Sequence, residues 1–543
     1  MTKEAIRNIL ATLLVGLATL LLAGGGYYLG RCRAGLGKNS ALSKLQASLD
    51  LINTQYVDEV SSDSLVETLI PSLMSQLDPH SSYLTAEQRK KEREELEGYF
   101  YGIGVVFNSL KDTAIVIRTI PNGPSDLVGV RAGDRIISVD GRSIEGKIPT
   151  DTIMSLLKGA NESMVTLTLR DPSTNDQRTV RVKRGPVSTS KVGAKYMMSD
   201  SLGVIRLDGF SLSTYNDFMQ AFAQLQQGGM KGLVLDLRDN PGGILESALR
   251  MINEMLPKDK PVIYIEGAHY PREQYLSSGG GSLIDFPLYI LINESSASAA
   301  EIVSGAMQDN DAAIVIGRRS FGKGLVQKVF EYPDGSSVHL TIARYYTPSG
   351  RCIQREYHTG DSGEYFSDWA KRFSNGELYS SDSIPTDSSK VYKTGRGRLV
   401  YGGGGIIPDI FIPQDSSKLT GYTMDVLRRG VPQKYAFLYA DSHRAYLTSM
   451  GDELQCYDFL RLQGLPWMMG NYAAREYNIP LRGYLLSHDE EYLSDLMAQS
   501  VIMYIYGDDA MARVAAQSDP MISRAVDLFS RQIYSPMRLS SER

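Results

Sequence analysis

A chain of 543 residues is long for one ordinary domain, so two to four folding units are expected. With 42% hydrophobic and 22% charged residues it can bury a sizeable core, and a net charge of −5 without a basic block excludes nucleic acid as the main partner. Cys32, Cys352 and Cys456 are odd in number and far apart, and the six histidines are scattered. This pattern supports neither a disulfide framework nor a metal-ligand spacing, so no cofactor and no metal is expected.

Residues 9–29 form an uncharged, mostly apolar run long enough to span a bilayer as a helix. Lys3 and Arg7 precede it, as they would in a signal peptide. Its end has bulky and basic residues where a cleavage site needs small ones, so residues 1–37 are read as an uncleaved membrane anchor. Residues 38–98 read as helical: Leu45, Leu49, Ile52 and Tyr56 recur at helical spacing, as do Leu65, Leu69 and Leu73. Pro71 should sit near a helix start or a kink. The run 89–97 is strongly charged and suits a solvated helix face.

Residues 99–185 open with Tyr101-Gly102-Ile103-Gly104 and a strand-like run, and contain the segment 124–140 (PSDLVGVRAGDRIISVD). A helix is expected over 150–158. Residues 186–415 alternate strand-like runs (203–207, 233–237, 288–293, 313–317) with helix-like ones, the pattern of an α/β layer structure. The strand-like run 233–240 ends in Pro241-Gly242-Gly243 and leads into a helix-like run over 244–256. Ser298 follows the run 287–293 and opens a helix-like run over 299–308. The partial positive charge of a helix N-terminus favours negative charge developing beside it. A glycine-rich loop after 313–317 carries Lys323, with Gln327 four residues on. The stretch 356–396 is polar and rich in Ser, Asp and Gly, and reads as a long surface insertion with a short helix around Trp369. Residues 416–543 read as a mainly helical extension rich in Tyr and Met, with Asp519-Pro520 as a helix start. Such a lobe either packs on the core or serves as an oligomer or partner surface.

The run Ser-Ala-Ser-Ala-Ala-Glu at 296–301, followed by Phe-Gly-Lys-Gly-Leu-Val-Gln at 321–327, resembles the C-terminal processing (tail-specific) proteases, serine endopeptidases of the Ser-Lys type in family S41. Further segments fit the same family: Asp78-Pro79-His80-Ser81-Ser82-Tyr83, Tyr345 to Arg351, and Gly404-Gly405-Ile406-Ile407-Pro408-Asp409. One departure is Ala300, where the family commonly has a second Ser. The resemblance implies a multidomain α+β protein: an α/β (crotonase/ClpP-like) protease core with an inserted β-rich PDZ domain, an N-terminal helical segment and a mainly helical C-terminal extension. It places the family nucleophile on Ser298, the lysine on Lys323 and the accompanying glutamine on Gln327. The Ser-to-Lys separation is 323 − 298 = 25 residues.

The chemistry of such a set is physical. A serine hydroxyl needs a base to take its proton. A lysine serves as that base only when neutral, which burial promotes. A third group orients the base, and backbone N–H groups hold the oxyanion. Ala299 is one candidate donor; the resemblance implies that Gly242 or Gly243 is the other, and the sequence does not choose between them. His80 is read as structural, because the Ser-Lys set already accounts for the chemistry.

Residues 99–184 resemble a PDZ domain of the kind found on proteases. Tyr101, Gly102, Ile103 and Gly104 would form its carboxylate-binding loop, where successive N–H groups make a nest for an anion. The strand after it would accept an extended peptide, and Met154 or Leu157 would face the peptide's last side chain. The implied partners are protein or peptide C-terminal tails, the membrane through the anchor, and a second copy in a homodimer. The implied location is the bacterial inner membrane, single-pass, with the body in the periplasm. Two alternatives remain at this level: a PDZ-bearing scaffold, and a locked protease that binds C-termini without constitutive cleavage.

Overall fold

The computed structural model describes residues 40–539 apart from 111–112, 147, 173, 361 and 416–417. The chain divides into two compact units, residues 1–77 and 78–543. In the first, the helices Ser40–Gln55 and Ser62–Met74 are described. Ser61 caps the second, accepting the N–H of Ser64, and Pro71 is tolerated in its last turn. Leu42, Leu51, Leu69 and Leu73 stay exposed on these helices.

One expectation is corrected here. Among the described residues no helix is long and apolar enough to cross a membrane, so a single-pass inner-membrane protein is not supported. The described helices carry charged and polar residues on their exposed faces, as helices facing water do. The apolar run 9–29, on which the anchor rested, lies outside the described residues.

The second unit mixes helix and sheet throughout, the multidomain α+β character expected. Its β-rich part is an antiparallel sheet in the order Val105–Leu110, Thr113–Thr119, Arg135–Val139, Met164–Arg170, Gln177–Lys183. The chain enters and leaves this part through a two-stranded ribbon, Tyr99–Gly102 paired with Gly185–Ser188. Alternation along each strand supplies its core, with Ala114, Val116, Ile136, Leu167 and Leu169 turned inward. The helix Thr150–Leu157 buries Ile153 and Leu157 and leaves Met154 exposed.

The part of the chain after Gly185–Ser188 is built on a six-stranded sheet. Val192–Met197 pairs antiparallel with Leu202–Leu207; then Gly232–Asp236, Leu288–Ile292, Ile314–Gly317 and Ile410–Phe411 follow in parallel. Both faces are covered, so the strands read as unbroken apolar runs rather than alternating ones. Leu235, Ile290 and Val315 face the helices Thr214–Gln227, Leu245–Met255 and Ala299–Asp309. Their neighbours Val234, Tyr289, Leu291 and Ile316 face Met521, Ile522 and Leu528 of the helix Pro520–Ser530. Asp519 caps that helix as its sequence suggests, accepting the N–H groups of Met521 and Ile522. A second sheet joins Ser82–Leu84, Leu325–Glu331, Ser337–Tyr346, Pro261–Gly267 and Tyr270–Leu276, and holds Gln327 at its edge of the cleft.

The C-terminal extension forms its own helical core, in which Phe437, Leu460, Met469, Met497 and Val501 are fully buried. Ile115 of the β-rich sheet is buried within that same cluster, while its neighbours Ala114 and Val116 point the other way. The strand Thr113–Thr119 is therefore covered on both faces.

Candidate active site

Ser298 stands between the strand Leu288–Ile292 and the helix Ala299–Asp309, at that helix's N-cap. Its backbone is at φ 54°, ψ −114°, a conformation that L-residues rarely adopt and that surrounding contacts must hold. The holding contact is Glu301, a wholly buried carboxylate. Its Oε2 accepts the Ser298 N–H (2.9 Å) and the Lys323 N–H (2.9 Å). Its Oε1 accepts the Gly322 N–H (2.7 Å) and the Ser320 hydroxyl. One side chain thus binds the backbones of both candidate catalytic residues. Burial pushes the Glu301 carboxyl above the usual range, opposed by the four donors. Sequence reasoning quoted Glu301 without giving it a role. The signal was present: Ser298-Ala299-Ala300-Glu301 has the S-x-x-E spacing of a capping box.

Lys323 lies in the irregular stretch after Ile314–Gly317. Phe321 N–H donates to Ser296 O (2.9 Å), Ser320 N–H to Ile406 O (3.0 Å) and Gly324 N–H to Gln354 Oε1 (2.8 Å). Burial lowers the pKa of the Lys323 ammonium, opposed by the more distant carboxylates of Glu301 and Asp78. Its Nζ donates to Gln327 Oε1 at 2.9 Å, and Gln327 Nε2 in turn donates to the carbonyl of His80. No hydrogen bond joins Ser298 Oγ to Lys323 Nζ among the described residues. The Tyr345 hydroxyl, buried against both loops, reaches the carbonyls of Ser298 and Lys323.

His80, read from the sequence as structural, packs against an aromatic side chain. Its Nε2 meets the Tyr365 hydroxyl at 2.9 Å, and its ring packs edge-on against Tyr365 at 5.1 Å. Burial, with help from the Lys323 charge, lowers its pKa to about 4. Asp78 fixes the segment by accepting the N–H groups of His80 and Ser81 and the Thr341 hydroxyl.

The loop 240–243 closes on Ser298 from the other side. Asn240, fully buried, donates its amide to Leu207 O (2.8 Å) and accepts the Ala297 N–H on its carbonyl (2.9 Å). Its Oδ1 accepts the Gly242 N–H at 2.8 Å, so that N–H is already occupied. The N–H groups of Gly243 and Ala299 donate to no acceptor among the described residues. Gly242 is nevertheless essential to the fit. At φ 96° it approaches Ser298 so closely that an added methyl would lie 2.7 Å from Ser298 Cβ and 2.9 Å from Ala299 N.

Ser298, Ala299, Lys323, Gln327, Gly242 and Gly243 all line one cleft of about 530 Å³, whose rim includes Glu92, Lys191, Asp208 and His339. Tyr101 to Gly104 are not in it; they lie at the head of the β-rich sheet. There Ile103 O accepts the Ser125 N–H and Gly104 O the Ile120 N–H, while the N–H groups of Ile103 and Gly104 find no acceptor among the described residues. Gly104 has φ 70°.

The family model for peptidase family S41 matches residues 201–362, that for the PDZ domain matches 90–170, and that for the activating protease CtpB N-terminal domain matches 32–88. A CtpA-like serine protease of Staphylococcus haemolyticus is 30% identical over 350 residues, 64% of this chain and 68% of the relative. The carboxy-terminal processing protease CtpB of Bacillus subtilis is 31% identical over 322 residues, 59% of this chain and 67% of that protein. Among solved structures, the photosystem II D1 C-terminal processing protease aligns with a TM-score of 0.31 at 28% identity, covering 58% of this chain and 85% of its own.

Proposed function

The chain belongs to peptidase family S41, the C-terminal processing proteases with a PDZ domain, and from that premise we propose that it is a serine endopeptidase that recognises protein C-terminal tails and cleaves them by a Ser-Lys mechanism. The observation that carries this reading is the convergence of Ser298, Lys323 and Gln327 on one cleft, with Lys323 held by Gln327 at 2.9 Å and its charge disfavoured by burial. We assign residues 38–98 to an N-terminal helical region, 99–185 to the PDZ domain, 186–415 to a crotonase/ClpP-like protease core and 416–543 to a helical extension.

In this mechanism Ser298 Oγ attacks the scissile carbonyl carbon while its proton passes to neutral Lys323 Nζ. The oxyanion is held by the N–H groups of Ala299 and Gly243; the Gly242 N–H is spent on Asn240. The C–N bond breaks as Lys323 returns the proton to the leaving amine, and an acyl-enzyme remains. Water, deprotonated by Lys323, then releases the acid and regenerates Ser298. Gln327 directs the lysine lone pair, and the unpaired N–H groups of Ile103 and Gly104 receive the carboxylate of the tail. The exposed leucines of the helices Ser40–Gln55 and Ser62–Met74 suit a second copy of the chain as partner, giving a homodimer.

Lys323 turned to Gln327 rather than to Ser298 fits a resting enzyme that engages the nucleophile once substrate is bound. This is the locked-protease reading, and it shares the same residues. A Lys323→Ala variant tests both: it is expected to fold and to bind C-terminal peptides without cutting them. Retained cleavage would contradict the mechanism.

A further inference from the structure

The stretch 356–396, read from its composition as a surface insertion, sends buried side chains into the protease core. Arg372, on the helix Asp368–Ser374, is 2% exposed. Its Nη1 donates to Arg319 O (3.1 Å) and Ser320 O (2.9 Å), and its Nη2 to Phe321 O (3.1 Å). These three consecutive carbonyls belong to the irregular loop that leads into Lys323. Buried carbonyls without partners cost free energy, and a loop with no ladder of its own has to find partners elsewhere. The planar guanidinium supplies several donors in fixed directions from one atom group.

The charge is balanced locally. Asp368 accepts Arg372 Nε at 2.7 Å, Glu377 lies 4.0 Å from Nη1, and Glu377 also binds Arg319 through both oxygens (2.6 and 2.7 Å). Tyr365 of the same insertion also packs near Phe321, with ring centroids 5.9 Å apart. Arg355 is stacked between Phe321 and Tyr365, 3.9 and 3.8 Å from the ring centroids. Tyr365 meets His80 Nε2, and the His80 carbonyl holds Gln327.

We infer that Arg372 is a positioning residue for the general base, holding the Lys323 loop through the carbonyls of Arg319, Ser320 and Phe321. The inference rests on the Ser-Lys reading of the site. Arg372 touches no reacting atom; it acts by keeping Lys323 in a dry, fixed place beside Ser298. A lysine at 372 keeps the positive charge facing Asp368 and Glu377 but cannot form the three-carbonyl fork.

The test compares the parent, Arg372→Lys, Arg372→Gln and Lys323→Ala in steady-state cleavage of a peptide with a free apolar C-terminus, across pH, with folding followed by circular dichroism. Expected for Arg372→Lys is a kcat per folded molecule lowered about 10- to 100-fold, the loss typical of a misplaced catalytic group, with KM within about twofold, since the tail is gripped elsewhere. The pH limb assigned to Lys323 should move up towards the ordinary lysine value as water enters. A parental kcat and pH limb in the folded Arg372→Lys or Arg372→Gln variants would overturn the inference. So would unfolding of both, which would make Arg372 a purely structural residue. Cleavage retained by Lys323→Ala would instead mark failure of the Ser-Lys reading itself.

Discussion

Ser298 holds a positive φ in close quarters: Glu301 takes its N–H, the Gly242 backbone leaves no room for a side chain against its Cβ, and the helix Ala299–Asp309 begins at once. A Gly242→Ala change would force a methyl to 2.7 Å from Ser298 Cβ at a φ unfavourable for alanine. The expected result is a folded protein with kcat reduced about 100-fold or more, as when an oxyanion-hole contact is lost. Far-ultraviolet circular dichroism together with peptide cleavage would check it. Lys323 gives a second expectation at this scale. Its folded pKa is lowered by burial, and in the proposed mechanism only its neutral form accepts the Ser298 proton. Activity should therefore rise with pH along a limb whose midpoint lies below the ordinary lysine value of about 10.4. A pH profile of kcat over the range in which the fold is stable measures that midpoint.

The element that organises the site is the helix Ala299–Asp309 with Glu301 in its first turn. Glu301→Gln would turn an amide group towards N–H donors that now meet a carboxylate oxygen. Leaving a buried polar group unpaired costs about 1–3 kcal/mol; thermal unfolding should show the loss, and kcat should fall with it because the backbones of both proposed catalytic residues shift. That Ser298, Lys323 and Gln327 would come together was expected from the family resemblance of two short motifs, 296–301 and 321–327, and the three do line one cleft. Glu301 was only half legible: the S-x-x-E spacing announces a helix start, but its reach to Gly322 and Lys323 is a long-range contact no local pattern encodes. The sequence left Gly242 and Gly243 open, and the Asn240 side chain that occupies the Gly242 N–H turns in a direction no local pattern encodes. Arg372 was hidden by its surroundings, since a stretch rich in Ser, Asp and Gly reads as solvated even when one of its arginines is buried.

At the scale of the whole second unit, the C-terminal extension binds both the β-rich sheet and the protease sheet. Asp508 pairs with Arg118 of the β-rich sheet, and the next residue, Asp509, accepts the Lys195 N–H at 2.8 Å on the protease side. Arg135 pairs with Asp441, and Arg238 meets Asp519 at 2.6 Å. Apolar burial of Ile115 completes the joint. Ile115→Ala is expected to cost about 2–4 kcal/mol, as for other buried isoleucines cut to alanine. Thermal unfolding would read this loss. The helical nature of the extension was legible from its periodicity and its Asp519-Pro520 start. Its dual attachment was not, because the contacts of Asp508 and Asp509 with Arg118 and Lys195 are long-range ones that no local pattern encodes.

The central claim is that Ser298 cuts polypeptides whose C-terminal tails the PDZ loop has captured. The most direct test incubates the protein, and a Ser298→Ala variant, with a mildly unfolded protein bearing an apolar C-terminal tail, as free acid and as amide, and follows intact mass. The account predicts fragments from the parent, none from Ser298→Ala, and faster cleavage of the free acid than of the amide. Equal cleavage by the parent and the Ser298→Ala variant would contradict it.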